Sequence, residues 1–314
     1  IFAKSENENP ISVSKCFVKE NVSENNGRLV CASKICMTIT EIDYKVFSQF
    51  YTCEQIRIGR MICYRKEYLP TEFVESILHL YEMKTKLKGV KGKEVEYLNS
   101  KEMLNSCYGM CVTNPLRDEI LCDGETWDIE HLTGEKQLEM LNKYNDSKNR
   151  FLFYPWGIYV TAYARRNLFT GISECGDDYI YSDTDSVKIM NGDAHKEYFK
   201  AYNDLAQQKL RAACKFHKIP FEKVEPVTIK GIAKPLGVWD YEGRCTRFKT
   251  LGAKRYMVEE ENALTVNGKD YNYSMTVSGV NKKSAIPYML ETFGESGIFD
   301  AFTNYLDIPP SATG

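Results

Sequence analysis

The sequence lacks a long apolar run and a strong excess of either charge. No stretch of roughly 18 apolar residues occurs, so no transmembrane helix and no membrane contact are expected. The formal net charge of the 314 residues is −2, which does not point to a polyanionic partner, although a local basic groove can be hidden in such an average. The first residues, IFAKSENENP, have no basic region followed by an apolar one. We therefore expect no signal peptide and a cytoplasmic location.

Histidine is scarce, and the cysteines are not spaced as metal ligands. There are four histidines and eleven cysteines, but there is no Cys-x-x-Cys pair, and the few histidines do not complete a zinc pattern. Cys107 and Cys111 lie one helical turn apart, yet two ligands do not make a zinc site. Without a secretory signal, the cysteines are expected to be reduced structural thiols.

The apolar content is sufficient for a core, at 43% of all residues. A chain of this length has room for two or three lobes. In the first 70 residues, GRLVCASKICMTIT predicts a strand pair, EIDYKVFSQFY a helix, and IRIGRMICYRK a further β-rich run.

A helical hairpin is predicted next. TEFVESILHLYEMKTKLK has apolar residues at helical spacing, with Thr71 as its N-cap after Pro70. The glycines of GVKG end this helix, and KEVEYLNSKEMLNSCYGM resumes a helical pattern. Two helices joined by about four residues must run antiparallel.

The rest of the chain contains helices and antiparallel strands in separate blocks, which indicates an α+β fold. Residues 111–155 are mixed and polar, and fit an insertion with small strands and one short helix. WGIYVTAYARRNLFTGISECG predicts a helix that ends near Gly176, and AHKEYFKAYNDLAQQKLRAACKFH predicts another. The C-terminal part is β-rich, and its NGKD turn predicts a hairpin.

The stretch YSDTDS places two aspartates one residue apart between short apolar runs. Asp, Thr and Ser favour turns because their side chains bond to nearby backbone, so a solvated hairpin turn is one interpretation. The other is that Asp183 and Asp185 hold a divalent cation. The hairpin would then be anchored in a sheet by its apolar flanks, Ile180, Val187 and Ile189. The stretch alone leaves both interpretations open.

Lys101, Asn105 and Tyr108 lie on one face of the second predicted helix, at i, i+4 and i+7. A cation, an amide and an aromatic ring form a poor core stripe, but they suit a phosphorylated ligand that can stack. Gly109 would let a backbone or a base approach closely. A solvated helix face is the alternative for each residue alone.

Further polar pairs occur on the other predicted helices. Lys84 and Lys88, again at i and i+4, lie near the turn of the hairpin, where a basic run is also typical of a solvated tip. Thr161 and Arg165 share a helical face, which suits binding of a phosphate backbone.

Four motifs occur in the order found in family B DNA polymerases. KEMLNSCYG resembles their Kx3NSxYG motif, TAYAR is similar to Tx2GR or Tx2AR, YSDTDS resembles YxDTDS, and KRY matches KxY. In GAKRYMV, Lys254 and Tyr256 are two apart on a predicted strand, hence on the same side of the sheet. WGIYVTAYARRN and YIYSDTDSVKI look especially like the protein-primed branch, the replicases of bacteriophages, linear plasmids and related viruses. The resemblance runs from roughly Lys15 to Val280.

This resemblance implies a DNA-templated DNA polymerase, which transfers a nucleotide from a dNTP to a primer 3'-hydroxyl. Two Mg²⁺ ions about 3.5–4 Å apart would act in this reaction, with Mn²⁺ as a possible substitute, and carboxylates must hold them. Lysines of the helical hairpin would offset the charge of the triphosphate. The implied partners are primer–template DNA, dNTPs and a terminal priming protein.

The resemblance also implies a right-hand polymerase fold. Residues 1–70 would form part of the palm and the connection to the fingers, and residues 156–276 the rest of the palm. The fingers would be residues 71–110 and a partial thumb residues 277–314. Residues 111–155 lie where the protein-primed branch carries an insertion that is linked to processivity and strand displacement.

The site residues follow from the motifs and the basic helix faces. The metal ligands would be Asp183 and Asp185, which with Lys101 and Lys254 form the expected catalytic set. The expected dNTP contacts are Lys84, Lys88, Lys101, Asn105 and Tyr108. The expected DNA contacts are Ser106, Gly109, Thr161, Arg165, Lys254 and Tyr256.

One motif of the family is missing from the sequence. The first polymerase motif, D-x-x-S-L-Y-P or similar, supplies another metal-binding aspartate and the tyrosine that excludes ribose. Together with the missing initiator Met, this suggests a C-terminal piece of a longer polymerase, without its exonuclease and inactive alone. Two alternatives stay open: an incomplete nucleic-acid-binding remnant, and a palm-type RNA-dependent polymerase or reverse transcriptase. In the latter two classes the paired aspartates are typically adjacent, whereas Thr184 separates them here.

Overall fold

A computed structural model of the chain describes residues 1–5, 9–124, 126–148, 150–151, 153–266 and 269–313. Helices and antiparallel sheets occur together, which confirms the α+β prediction. The chain divides into two compact units, Ile1–Ser173 with Lys200–Val238, and Glu174–Phe199 with Trp239–Gly314. Within the described residues, no helix is both long and apolar enough to cross a membrane.

The first unit begins with short strands around a small core. They are β1 Phe2–Ala3, β2 Val18–Glu20, β3 Ser23–Asn25, β4 Arg28–Cys31, β5 Lys34–Cys36 and β6 Tyr51–Thr52, with helix α1 Glu41–Phe50 before β6. The strand order of the larger sheet is β3-β4-β1-β6, whereas β5 pairs with β2. The prediction that GRLVCASKICMTIT forms one strand pair is therefore wrong, because its two strands join different sheets. Tyr51 anchors the core, since its buried hydroxyl donates to the carbonyl of Leu29 at 2.9 Å.

The β-rich run predicted at IRIGRMICYRK is also wrong. Residues 53–70 contain no helix or strand, and Ile58 and Met61 are 77% and 74% exposed. Alternating β-branched residues fit a pleated surface, but a strand also needs a neighbour for its backbone groups. No strand in the described part of the chain pairs with this segment.

The predicted helical hairpin is confirmed as α2 Thr71–Leu87 and α3 Glu94–Cys111, which pack against each other. The N-cap position of α2 is Pro70, not Thr71 as predicted. Thr71 is the first helical residue, and its hydroxyl shares a 2.9 Å hydrogen bond with Nδ1 of His217. Leu78 on α2 packs into a buried cluster with Cys214, Ile219 and Val224.

The remainder of the first unit holds the predicted insertion and two long helices. The elements are β7 Glu119–Cys122, β8 Trp127–Glu130, α4 Gly134–Asp146, α5 Tyr154–Cys175 and α6 Lys196–His217, of which α5 and α6 continue into the second unit. The small strands and the helix expected in residues 111–155 are confirmed as β7, β8 and α4. That this segment is an insertion stays a prediction. Helix α5 packs on α1 through an edge-to-face contact between Phe169 and Phe50, with ring centroids 5.4 Å apart.

The second unit contains a short hairpin and a longer three-stranded sheet. Its elements are β9 Tyr179–Asp183, β10 Ser186–Ile189, β11 Cys245–Gly252, β12 Arg255–Val266, β13 Lys269–Val277, α7 Lys282–Ala301 and α8 Pro310–Thr313. The sheet β11-β12-β13 packs on α7 through buried residues that include Met257, Met275, Met289 and Ile298. The hairpin predicted around NGKD is confirmed as β12–β13, while Asn267 and Gly268 lie outside the described residues.

Glu82 on α2 is expected to stabilise the first unit in a pH-dependent way. Its carboxylate accepts a hydrogen bond from Lys86 and another, at 2.9 Å, from Nζ of Lys223. These lysines lower the pKa of Glu82 from 4.5 to about 2, against the opposing effect of burial. A folded-state pKa below the unfolded value means that this stabilisation is complete above about pH 4.5 and is lost as the pH falls toward 2.

We therefore expect Glu82→Gln to lower the free energy of unfolding by about 1–2 kcal/mol at pH 7, and by less at pH 3. Urea unfolding at both pH values measures this difference. The matched control is Asp204→Asn, because the ion pair of Asp204 with Lys200 is about 70% exposed on both sides. Equal effects of the two variants, or a Glu82→Gln effect that does not shrink at pH 3, would contradict the assignment.

Candidate functional site

The YSDTDS stretch forms the tip of the β9–β10 hairpin. Ser186 pairs with Asp183, which leaves Thr184 and Asp185 as a two-residue turn. The amide of Asp185 donates to the carbonyl of Asp183 at 2.7 Å, and Thr184 between them has a φ of 57°. A β-branched residue rarely adopts positive φ, and such strain tends to be retained at functional sites. The turn thus fixes two carboxylates at the end of a short ribbon.

The sheet around this hairpin is smaller than the sequence predicts. Strands β9 and β10 form a two-stranded sheet, and no third strand joins it within the described residues. Ile180 is 39% exposed, so its predicted role as an apolar anchor is wrong, whereas Val187 and Ile189 are partly buried. Ile180 alternates along β9 with the partly buried Tyr179 and Tyr181, so its side chain faces the other, more exposed side of the ribbon.

Lys254 lies at the tip of a second hairpin, β11–β12. Gly252 pairs with Arg255, so Ala253 and Lys254 form the turn, and Lys254 has a φ of 58°. The prediction that Lys254 and Tyr256 lie together on one strand is therefore wrong for Lys254. Only Tyr256 is on β12, because the two-residue turn takes up the position before it.

The tips of the two hairpins are in contact. Nζ of Lys254 lies 2.7 Å from Oδ1 of Asp183, and its backbone amide donates to the hydroxyl of Tyr181 at 3.0 Å. The Tyr181 ring packs against Tyr256 and Phe248, with centroids 5.1 and 5.7 Å apart. The structure therefore brings together Asp183, Lys254 and Tyr256. It also adds Tyr181, to which the sequence interpretation gave no role although it is the first residue of YSDTDS.

The charges at this contact stabilise each other. Burial acts to raise the pKa of Asp183, but hydrogen bonds from Lys254 and Thr184 outweigh it and hold that pKa below its usual value. The same contact with Asp183 raises the pKa of Lys254. At neutral pH the carboxylate is thus ionised and the ammonium protonated. A negative group and a positive group stand side by side at the tip.

Asp183 and Asp185 provide hard carboxylate oxygens, which suit Mg²⁺ or Mn²⁺. Thr184 also donates its hydroxyl to Oδ1 of Asp183 at 2.9 Å, so this oxygen is shared between a hydroxyl and an ammonium. Among the described residues, no group of three or more His, Cys, Asp or Glu side chains could hold a metal ion. The hairpin itself offers two carboxylates, and metal binding by them stays a prediction.

The predicted row on α3 has the expected spacing and is accessible. Lys101, Asn105 and Tyr108 are all exposed on this helix. Ser106 is turned to its own helix, since its hydroxyl donates to the carbonyl of Glu102 at 2.8 Å. A Cβ added at Gly109 would meet no atom within 4 Å, which leaves this side of the helix open to a ligand.

The two lysines predicted near the hairpin turn lie at the end of α2. Lys84 is in the last turn, with Nζ 5.7 Å from the centroid of the Tyr81 ring. Lys88 occupies the C-cap position and is exposed. Cations at a helix C-terminus also interact favourably with the helix dipole, so helix stability alone can explain why lysines occupy both positions.

Thr161 and Arg165 on α5 have protein partners that the sequence interpretation missed. The hydroxyl of Thr161 donates to the carbonyl of Ile158 at 2.8 Å. Nε of Arg165 donates to Oδ1 of Asp43 at 2.8 Å. Asp43 is buried and also closes the capping box of α1, where its Oδ2 accepts from the amide and hydroxyl of Thr40. The Thr-x-x-Asp spacing signals the cap, but nothing local signals the bond to α5.

Comparisons with known proteins agree with the motifs. The chain is 24% identical over 276 residues to the DNA polymerase of Bacillus phage B103, covering 86% of this chain and 40% of that protein. It is 25% identical over 205 residues to the DNA polymerase of Bacillus phage phi29, which covers 62% of this chain and 29% of the relative. For the DNA polymerase of Bacillus phage Nf the identity is 24% over 268 residues, or 84% of this chain and 38% of the relative. No family model and no solved structure matches the chain.

The resemblance to bacteriophage DNA polymerases is thereby confirmed. The chain spans 29–40% of the length of these curated relatives.

Proposed function

We propose that the chain carries the nucleotidyl-transfer site of a protein-primed, family B DNA polymerase. The observation that carries this proposal is the contact between Lys254 and Asp183, 2.7 Å apart at the tips of two hairpins. It joins the KRY and YSDTDS motifs, which are far apart in the sequence. A solvated turn needs no ammonium partner from another hairpin, whereas a site for phosphate chemistry uses both charges.

In this reaction Asp183 and Asp185 would hold Mg²⁺ or Mn²⁺, which activates the primer 3'-hydroxyl and neutralises the leaving pyrophosphate when bound. Thr184 fixes the spacing of the two carboxylates through its strained turn. Lys254 places a protonated amine beside the reacting groups, where it stabilises negative charge that develops on the phosphate. Tyr181 orients that lysine through the bond from the Lys254 amide.

The exposed row on α3 supplies contacts for the incoming dNTP. Lys101 offsets the triphosphate charge, Asn105 offers an amide, and Tyr108 offers a ring for stacking. Lys84 and Lys88 add positive charge at the end of the preceding helix. The architecture that fits this assignment is a right hand, with α2–α3 as fingers and the hairpins β9–β10 and β11–β12 in the palm.

The test is primer extension by the full product of the reading frame that encodes these residues. With Mg²⁺ and dNTPs, extension on a DNA template is expected, and it should be lost without the divalent ion. An RNA template with the same sequence tests the RNA-dependent alternative. Tight DNA binding with no extension under any condition would instead favour the remnant that only binds nucleic acid.

The role of Arg165 in DNA binding can be separated from its bond to Asp43. If Arg165 contacts a phosphate, Arg165→Gln should lower the slope of log K against log salt for primer–template binding by about one. Asp43→Asn is the matched control, because it weakens the same bond while the arginine keeps its charge. Its salt slope should equal that of the unaltered protein, although its stability should fall. Fluorescence anisotropy over a salt series measures both, and equal slopes for all three proteins would limit Arg165 to a structural role.

A further inference from the structure

The base of the β9–β10 hairpin is closed by three polar side chains. Asp178 lies one residue before β9, and each oxygen of its carboxylate has a partner on the other side of the hairpin. Oδ1 accepts from Nδ2 of Asn191 at 2.8 Å, and Oδ2 is 2.9 Å from Nε2 of His195. The backbone takes part as well, since the amide of Met190 donates to the carbonyl of Asp178 at 2.7 Å.

These contacts lie where the strand ladder is irregular. The register shifts between Lys188 and Ile189, so regular pairing ends near the base of the hairpin. Just beyond it, Asn191 adopts a φ of 46°, which turns the chain and presents its side chain to Asp178. The side-chain bonds thus hold the two strands together where the ladder is weakest.

The ion pair within this group is largely buried, whereas Asn191 is exposed. The side chains of His195 and Asp178 are 13% and 23% exposed. Hydrogen bonds from His195 and then Asn191 lower the pKa of Asp178, so its carboxylate is ionised at neutral pH. Hydrogen bonds to an ionised acceptor are roughly twice as strong as those between neutral groups.

We propose that Asp178, Asn191 and His195 form a positioning clamp that fixes the hairpin whose tip carries Asp183 and Asp185. This inference rests on the proposed polymerase function. An isolated two-stranded hairpin is only marginally stable in water, and β9–β10 has no third strand in the described part of the chain. The clamp restrains the base while the strained turn restrains the tip. None of the three residues needs to touch substrate, so all act through the aspartates.

The test compares kcat, KM and hydrogen exchange in the full product of the reading frame. Asp178→Ala and His195→Ala are expected to lower kcat by about 10- to 100-fold, because displacement of reacting groups by about 1 Å costs that much. The KM for dNTP and the affinity for primer–template should stay within about twofold, since the clamp contacts neither. His195→Gln should recover most of kcat, because its amide nitrogen can donate to Asp178.

Two further variants sharpen this comparison. Asn191→Gly removes the side-chain bond without straining the backbone, since glycine accepts the positive φ at this position. The matched control is Asp193→Ala, because Asp193 lies on the same connection but forms an exposed ion pair with Lys196, with side chains 91% and 73% exposed. Asn191→Gly should show a partial loss of kcat, and Asp193→Ala should behave as the unaltered protein.

Hydrogen–deuterium exchange tests the clamp without a measurement of catalysis. Loss of the clamp should speed exchange of the β9–β10 amides by about tenfold or more, with little change in the β11–β13 sheet. Unchanged exchange at the hairpin, or a lowered melting temperature with full kcat well below it, would overturn the clamp. If the hairpin loosens but Asp183→Asn leaves polymerase activity intact, the proposed function fails and the clamp stands as a structural feature.

Discussion

Replacing Asp183 by Asn is expected to lower the rate of nucleotide incorporation by at least about a thousandfold, with primer–template binding retained or slightly tighter. The amide keeps the size of the side chain but removes the charge that would hold the metal ion. It also removes the partner of the Lys254 ammonium, 2.7 Å away. Binding should not weaken, because a negative charge near phosphate opposes association.

Single-turnover extension of a labelled primer measures this effect in the full product of the reading frame. Asp185→Asn should show a loss of similar size, because both carboxylates are needed to hold the ion. Asp193→Asn serves as the control, since its exposed carboxylate lies outside both hairpin tips. Incorporation at a near-normal rate by either active-site variant would remove the metal-ligand assignment.

The local elements of this fold could be predicted from the sequence because their signals lie within a few residues. Helical spacing of apolar residues gave α2 and α3, and the glycines between them gave the break. The YSDTDS hairpin was predicted for the same reason, since turn-forming residues sit between two short apolar runs.

Long-range pairing could not be predicted in the same way. The bond from Arg165 to Asp43 joins α5 to α1. In the sequence, however, the cap of α1 already accounts for Asp43, and the predicted phosphate-binding face already accounts for Arg165. In the segment 53–70 the sequence pattern predicts a strand that does not form, because a β-like pattern needs a neighbouring strand with which to pair. The exact position of a residue within a turn is also hard to predict from the sequence. Lys254 follows an alternating strand pattern in sequence, yet the two-residue turn puts it at the hairpin tip.

That placement of Lys254 makes a variant at this position the sharpest test of the site. Lys254→Asn removes the ammonium, and asparagine tolerates the φ of 58° at this turn better than most residues. We expect kcat to fall by about 100-fold or more, because removal of one preorganised group that stabilises transition-state charge costs this much. We expect the affinity for Mn²⁺ in the absence of DNA to rise by a few fold. A metal ion no longer has to compete with an ammonium for Oδ1 of Asp183.

The two effects have opposite signs, which separates a chemical role of Lys254 from a structural one. A lysine that only supported the hairpin would, when replaced, weaken metal binding and catalysis together, which is also the result expected for Asp183→Asn. Electron paramagnetic resonance of free Mn²⁺ and single-turnover extension measure the two quantities on the same samples. Lys218→Asn is the matched control, because Lys218 is an exposed lysine with the same φ of 58° in the first unit. A Lys254→Asn protein that binds Mn²⁺ more weakly than the Lys218→Asn protein would show that the ammonium supports the aspartate rather than competes for it.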